Sequence, residues 1–107
     1  MKGEGRLGSL IYGSPGSKIE IDDRLLAHLQ LVIVTKLRRN EQFLFAWDHD
    51  EAYARGHTAL WINPSIPLHF QYVGGKRPTL NRAWTEALMD AANSSGGLRA
   101  VPEPTED

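Results

Sequence analysis

Apolar and polar residues alternate along the first part of the chain and then change to a longer period. Two alternating runs, RLGSLIYG (6–13) and SKIEID (17–22), flank the turn-forming stretch GSPG and predict two short β-strands. Between residues 23 and 39 the apolar residues recur every three or four positions, which predicts an amphipathic helix. Asp22 or Asp23 is expected to cap its start, and Asn40 to end it. The apolar stripe comprises Leu25, Leu26, Leu29, Val32, Ile33 and Leu37.

Alternation returns in the second half of the chain. The run QFLFAW (42–47) predicts a strand, and the polar stretch that follows it to residue 57 predicts an exposed loop. TALWIN (58–63) and LHFQYV (68–73) predict two more strands. Because proline cannot donate to a sheet ladder, Pro64 and Pro67 favour a stiff connection, and the stretch WINPSIPLHFQY is expected to form a core hairpin.

A second helix is expected to start at Thr79 and to stop before Gly96 and Gly97. Its expected buried face carries Leu80, Trp84, Ala87, Leu88 and Ala91.

The order β-β-α-β-β-β-α predicts an α+β protein, with two helices packed on one face of a mainly antiparallel sheet. We expect one domain over residues 7–101, a flexible N-terminus over residues 1–6 and a disordered acidic tail over residues 102–107.

Composition narrows the classes of function. The 107 residues carry a formal net charge of −1, which argues against a strongly electropositive nucleic-acid-binding protein. The chain has no cysteine and therefore no disulfide or thiolate chemistry. The first residues lack the apolar core of a signal peptide, and no apolar run is long enough to span a bilayer. We expect a cytoplasmic protein without a membrane partner.

The sequence contains no recognised motif for catalysis, cofactor binding or metal binding. Glycines precede a lysine at residues 13–18 and 74–76, but neither stretch has the spacing of a phosphate-binding loop. The chain has neither G-x-S-x-G nor H-E-x-x-H. Residues 48–57 hold acids and histidines without a recognised ligand spacing, as is typical of a solvated loop. No catalytic residue, metal ligand or cofactor is predicted.

Basic residues form the best functional indication. Arg24, Arg38 and Arg39 lie on the polar side of the first predicted helix, and Lys76, Arg77 and Arg82 lie at the start of the second. Together these six residues predict a contact with nucleic acid. The competing interpretation is that these residues only solvate the surface, which suits the near-zero net charge.

Apolar residues outside the predicted core indicate a second class of function. Leu31 and Val34 fall off the helical stripe, and Trp61 points away from Leu60 and Ile62 on its strand. These three residues predict an interface with another protein or with a second copy of the chain.

Three long strings, LIYGSPGSKIEIDDRLLAHLQLVIVTKLRRNEQFLFAW, WINPSIPLHFQY and LNRAWTEALMDAANSSGGL, resemble a family of small actinobacterial proteins of uncharacterised function. The resemblance covers Leu7 to Pro104, and automatic labels often describe this family as "ATP-dependent DNA ligase". It transfers no catalytic residue.

The ligase label implies a lysine that carries AMP in a Lys-x-Asp-Gly motif. The near match Lys2-Gly3-Glu4-Gly5 has glutamate in place of aspartate and lies at the terminus, whereas covalent catalysis needs a lysine held in a pocket. The sequence thus favours a non-enzymatic binding or accessory module that contacts nucleic acid. A protein-interaction or homodimerisation module that uses the aromatic sheet face is the alternative, and a ligase-related protein comes third.

Overall fold

Five strands and two helices follow one another in the predicted order in the computed structural model of the protein. The structure describes residues 7–14, 16–50 and 55–105, without the side chains of residues 49, 50 and 55. The elements are β1 (Leu7–Gly13), β2 (Gly16–Asp22), α1 (Asp23–Arg38), β3 (Phe43–Asp50), β4 (Arg55–Ile62), β5 (Leu68–Gln71) and α2 (Arg82–Ala92). The α+β class and the order β-β-α-β-β-β-α are confirmed.

The strands form two antiparallel sheets, whereas the periodicity suggested one. A three-stranded sheet has the order β2-β1-β5, and a two-stranded sheet pairs β3 with β4. The stretch WINPSIPLHFQY is therefore not a hairpin, since its two strands belong to different sheets. Its middle turns sharply, because the Asn63 side chain accepts the Ser65 N–H at 2.8 Å and the Asn63 carbonyl accepts the Ile66 N–H at 3.1 Å.

The expected polar loop over residues 48–57 is also corrected. β3 continues to Asp50 and β4 begins at Arg55, so the two strands form a long hairpin whose residues 51–54 lie outside the described part of the chain. The register pairs Trp47 with Thr58 and Asp48 with His57. Backbone pairing between β3 and β4 continues into the polar residues at their ends, and the polarity of those residues did not predict this.

The stripe predicted for α1 lies in the core. Leu26, Leu29 and Ile33 are fully buried, and the Asp22 side chain caps the helix by accepting the Arg24 and Leu25 N–H groups. The chain leaves the helix at Asn40, which has a φ of 60°. α1 packs on β1 and β2, whereas α2 makes its main contacts with α1 and β3.

Asn81, and not Thr79, is the N-cap of α2, since its side chain accepts the Ala83 and Trp84 N–H groups at 3.0 and 3.3 Å. Leu80 consequently precedes the helix and is 45% exposed, so its expected place in the buried face is wrong. The helix buries Trp84, Leu88 and Ala92.

The chain after α2 returns to the β3–β4 sheet. Leu98 is fully buried and forms a parallel bridge with Phe45, donating its N–H to the Leu44 carbonyl and accepting the Ala46 N–H, both at 2.8 Å. Residues 102–105 do not fit the expected disordered tail, because Glu103 and Pro104 bond to the body of the domain. Residues 1–6 and 106–107, the rest of the two expected terminal segments, lie outside the described residues.

Across residues 7–14, 16–50 and 55–105, neither helix has the length and apolar character needed to cross a bilayer.

Candidate binding groove

An open groove of about 640 Å³ lies between α1, the end of β5 and the loop that leads to α2. This volume is within the range of roughly 300–1,000 Å³ typical of ligand sites. One wall is a face of α1, a second is formed by Phe70 and Tyr72, and the third is the loop of residues 74–80.

The helical wall carries the two residues that fall off the core stripe. Leu31 and Val34 line the groove together with Ala27, and positions 27, 31 and 34 lie on one side of a helix. Leu31 is 44% exposed and Val34 is half-buried. Pro78 and the exposed Leu80 add further apolar surface from the loop. The groove is therefore an accessible apolar surface and not part of the closed core.

A buried carboxylate anchors the loop wall. Asp23, in the first turn of α1, accepts the Gly74 N–H at 2.8 Å and the Val73 N–H at 3.2 Å. These bonds attach the beginning of the loop to the helix. Lys76 and Arg77 follow within three residues and extend as exposed cations at the edge of the groove.

A polar contact joins the other two walls. The Tyr72 hydroxyl donates to the Gln30 Oε1 atom at 2.5 Å. Burial, together with the nearby Asp23 carboxylate, raises the pKa of Tyr72 to about 12, so the phenol remains a hydrogen-bond donor at neutral pH.

The charged side chains that line the groove are all cationic. Lys76 and Arg77 are charged lining residues, and no aspartate or glutamate is among the residues that line the groove in the described part of the chain. Arg38 lies four residues beyond Val34 on the same side of α1, and Arg39 follows it; both are exposed. The apolar strip of the groove is thus bordered by cations at its loop edge and beyond the end of the helical wall.

The structure separates the other two predicted nucleic-acid contacts from this groove. Arg24 donates through Nε and Nη2 to the two carboxylate oxygens of Glu103, at 3.0 and 2.6 Å, and through Nη1 to the Thr79 carbonyl at 2.8 Å. Arg82 forms an ion pair with Glu86 one turn along α2. Carboxylates therefore partly neutralise both arginines.

Trp61, the third predicted interface residue, lies on the other sheet. It is 56% exposed, and its Nε1 atom donates to the Gln42 side chain at 2.8 Å. Its carbonyl accepts the Tyr12 hydroxyl at 2.6 Å, which joins the end of β4 to β1. The structure thus unites Leu31 and Val34 with Lys76 and Arg77, but not with Trp61.

A second polar cluster, which sequence reasoning did not identify, joins the two helices. His28 is fully buried between the Arg24 carbonyl and the Asn81 N–H, and its ring packs against Trp84 at a tilt of 40°, with 4.5 Å between the centroids. Desolvation lowers the pKa of His28, although the hydrogen bond to the Arg24 carbonyl partly opposes this effect. Both ring nitrogens have protein partners, and the described residues contain no group of three potential metal ligands. The cluster therefore connects α1 to the start of α2.

Sequence reasoning also missed Gln30, Tyr72 and Leu80 as groove residues. Only Leu80 carried a usable signal, since it lies within four residues of Lys76 and Arg77. Gln30 and Tyr72 are distant in sequence, and the fold alone brings them together.

Comparison with known proteins gives a family and no activity. No curated protein and no solved structure shows a significant match to the chain. The model of one family, a domain of unknown function (DUF7882), matches residues 7–103. This match spans all five strands, both helices and the groove, and the chain therefore belongs to the DUF7882 family.

Proposed function

We propose that the protein is a binding module whose groove holds an acidic peptide segment with apolar anchor residues, contributed by a partner protein. One observation carries this proposal: the exposed Leu31 and the half-buried Val34 of α1 line the same groove as the cations Lys76 and Arg77. Such a surface matches a ligand that has apolar and negatively charged side chains next to each other.

The dimensions of the groove suit a short segment. The helical face that runs from the groove wall at position 27 to the cation Arg38, which lies beyond the wall, rises about 16 Å at 1.5 Å per residue. About five residues of extended peptide cover the same distance at roughly 3.3 Å per residue. Leu31, Val34 and Leu80 would receive the apolar side chains, while Lys76 and Arg77 would pair with carboxylates at the edge.

Nucleic acid is the second candidate ligand, and a specific observation supports it. Arg38, Arg39, Lys76 and Arg77 are exposed, and no described residue forms an ion pair with any of them. Against it stand the ion pairs of Arg24 and Arg82, the net charge of −1, and a groove whose aromatic residues are half-buried. These observations favour the peptide.

Selection from a random peptide library displayed on phage tests the proposal. We expect the enriched sequences to combine Asp or Glu with Leu, Ile or Phe. The affinity of an enriched synthetic peptide should fall at least tenfold for the variant Lys76→Glu/Arg77→Glu, since reversing both charges replaces attraction with repulsion. Leu31→Ser should weaken the same peptide by removing an apolar contact.

The matched control is Lys18→Glu/Arg99→Glu, which changes the net charge equally at exposed positions that do not line the groove. It should bind the peptide with nearly unchanged affinity. Equal loss in both double variants, or enriched peptides without acids, would contradict the proposal. Salt-sensitive retention on a DNA duplex that Lys76→Glu/Arg77→Glu abolishes, without any enriched peptide, would replace it with the nucleic-acid candidate.

A further inference from the structure

The edge of β4 that faces away from β3 carries backbone N–H and C=O groups without hydrogen-bond partners among the described residues. The hydrogen bonds of β3 show which residues of β4 these are. The Leu44 carbonyl and the Ala46 N–H bond to Leu98, so these two residues direct their backbone groups away from β4. In an antiparallel pair, two directly opposite residues either bond to each other or both direct their backbone groups away from each other, and these two kinds of pair alternate along the strands. Ala59 is opposite Ala46, and Trp61 is opposite Leu44, so both direct their own backbone groups away from β3.

The orientation of Trp61 has independent support. Its carbonyl accepts the Tyr12 hydroxyl, which approaches from the β1 side, and the same hydroxyl accepts the Asn63 N–H at 2.9 Å. The outward groups that remain are the N–H and C=O of His57, the N–H and C=O of Ala59, and the N–H of Trp61. None of them bonds to another described residue, and all three residues are exposed.

The other sheet protects its edges, whereas β4 does not. β2, an edge strand, carries the exposed charges Lys18 and Glu20, and β5 is four residues long and begins directly after Pro67. Charges, proline and short length are the usual means by which edge strands avoid pairing. Residues 56–62 of β4 (GHTALWI) contain no proline and no Asp, Glu, Lys or Arg. This edge can accept a further strand.

We propose that the β4 edge pairs with the β4 edge of a second copy of the chain, antiparallel and about a two-fold axis at Ala59. The two hairpins would then form a continuous four-stranded sheet. This inference does not depend on the proposed groove ligand, because it concerns other elements of the fold.

The residues of the strand are self-complementary about this axis. Ala59 would face its own copy and exchange both backbone hydrogen bonds with it. His57 would lie opposite Trp61 of the other copy and accept the Trp61 N–H, because the Trp61 carbonyl is held by the Tyr12 hydroxyl. The small side chain at the axis leaves room for the two indoles, which are exposed on the same sheet face in the single chain. Each indole would lie opposite the His57 imidazole of the other copy as a cross-strand pair and would also reach the other copy's Ala59, its diagonal neighbour.

A second copy suits this edge better than a charged strand of another protein. Residues 56–62 of the strand offer no fixed charge to select an oppositely charged partner, and two copies of this segment therefore do not repel each other. From His57 to Trp61 the edge is about 14 Å long, and such a short contact gives a weak dimer in dynamic exchange.

A cysteine at the axis tests the geometry, and the natural chain has no cysteine to interfere. Opposed residues in a hydrogen-bonded antiparallel pair have Cα atoms about 5.5 Å apart, within the range of a disulfide. With a mild added oxidant to accept the two electrons, Ala59→Cys should therefore form a disulfide-linked dimer at least tenfold faster than Gln71→Cys, an exposed strand position on the other sheet. Equal rates of cross-linking in the two variants would overturn the proposal.

Sedimentation velocity of the natural sequence over a concentration series tests the association itself. The weight-average sedimentation coefficient should rise between about 10 μM and 1 mM, as a weak dimer requires. Ala59→Lys places like charges at the axis and should raise the dissociation constant at least tenfold, with partial recovery in high salt. Gln71→Lys should have no effect. A natural chain that remains monomeric at 1 mM, or an Ala59→Lys variant that dimerises normally, would also overturn the proposal.

Discussion

The Nε2 atom of His28 accepts the backbone N–H of Asn81 at 2.8 Å, and this bond connects α1 to the first residue of the α2 cap. The Nδ1 atom lies 2.7 Å from the Arg24 carbonyl, which can only accept, so Nδ1 carries the proton of a neutral ring. The cap of α2 therefore depends on a buried, uncharged histidine.

Replacement of His28 should reveal the strength of this connection. His28→Ala removes the acceptor of a buried N–H and leaves a cavity, and we expect it to lower the free energy of unfolding by about 2–4 kcal/mol. His28→Gln should cost less, because a glutamine oxygen can occupy the position of Nε2. Urea denaturation measures both values. Equal losses for the two variants would show that the bond to Asn81 contributes little.

The same histidine makes stability depend on pH. Because burial lowers the pKa of His28 below its ordinary 6.5, the unfolded chain takes up this proton before the folded protein does. Its contribution to stability is complete above pH 6.5 and is lost as the pH falls below that value. Thermal unfolding at pH 8, 6.5 and 5 should show a falling midpoint in the natural protein and a flatter profile in His28→Gln. Parallel profiles would contradict this assignment.

Glu103 should show a low pKa that depends on Arg24. Hydrogen bonds from Arg24 and Asn81 lower the pKa of Glu103 from 4.5 to about 2, so its contribution to stability is present above pH 4.5 and is lost below it. NMR titration of the side-chain carboxyl should find a pKa below 4.5, and Arg24→Gln should raise it towards 4.5. Because the pair is largely exposed, Glu103→Gln should lower the free energy of unfolding by less than about 1 kcal/mol. An unchanged pKa in Arg24→Gln would exclude the ion pair in solution.

Two adjacent glycines provide a matched test of the chain reversal after α2. Gly97 has a φ of 86°, and a Cβ there would lie 2.7 Å from the Leu44 carbonyl oxygen. Gly97→Ala should therefore destabilise the protein by about 1–3 kcal/mol. At Gly96 the Cβ would meet the flexible Arg99 side chain at 3.2 Å and the Ser94 hydroxyl at 4.0 Å, so Gly96→Ala should cost less than about 0.5 kcal/mol. Chemical denaturation compares the two, and similar losses would contradict the bridge of Leu98 to β3.

The sequence determined the features that depend on neighbours along the chain. The three-to-four residue period placed Leu26, Leu29 and Ile33 in the core, because a helix brings such positions to one side whatever it packs against. The same argument separated Leu31 and Val34 from that core, and they do line the groove. The order of elements was predictable for this reason, as was the position of the cationic loop.

Tertiary structure decided the pairings between distant residues. Alternation predicts a strand but does not identify its neighbour, so β4 and β5 were expected to pair and instead joined different sheets. Thr79 and Asn81 are both competent caps, and the structure uses Asn81, whose N–H bonds to His28 and whose side chain binds Glu103. The groove and the free edge of β4 belong to this second class. The groove forms where elements distant in sequence come together, and the edge of β4 is free because no other described strand pairs with it. The free energy of such long-range contacts depends on the whole fold and not on any local sequence pattern.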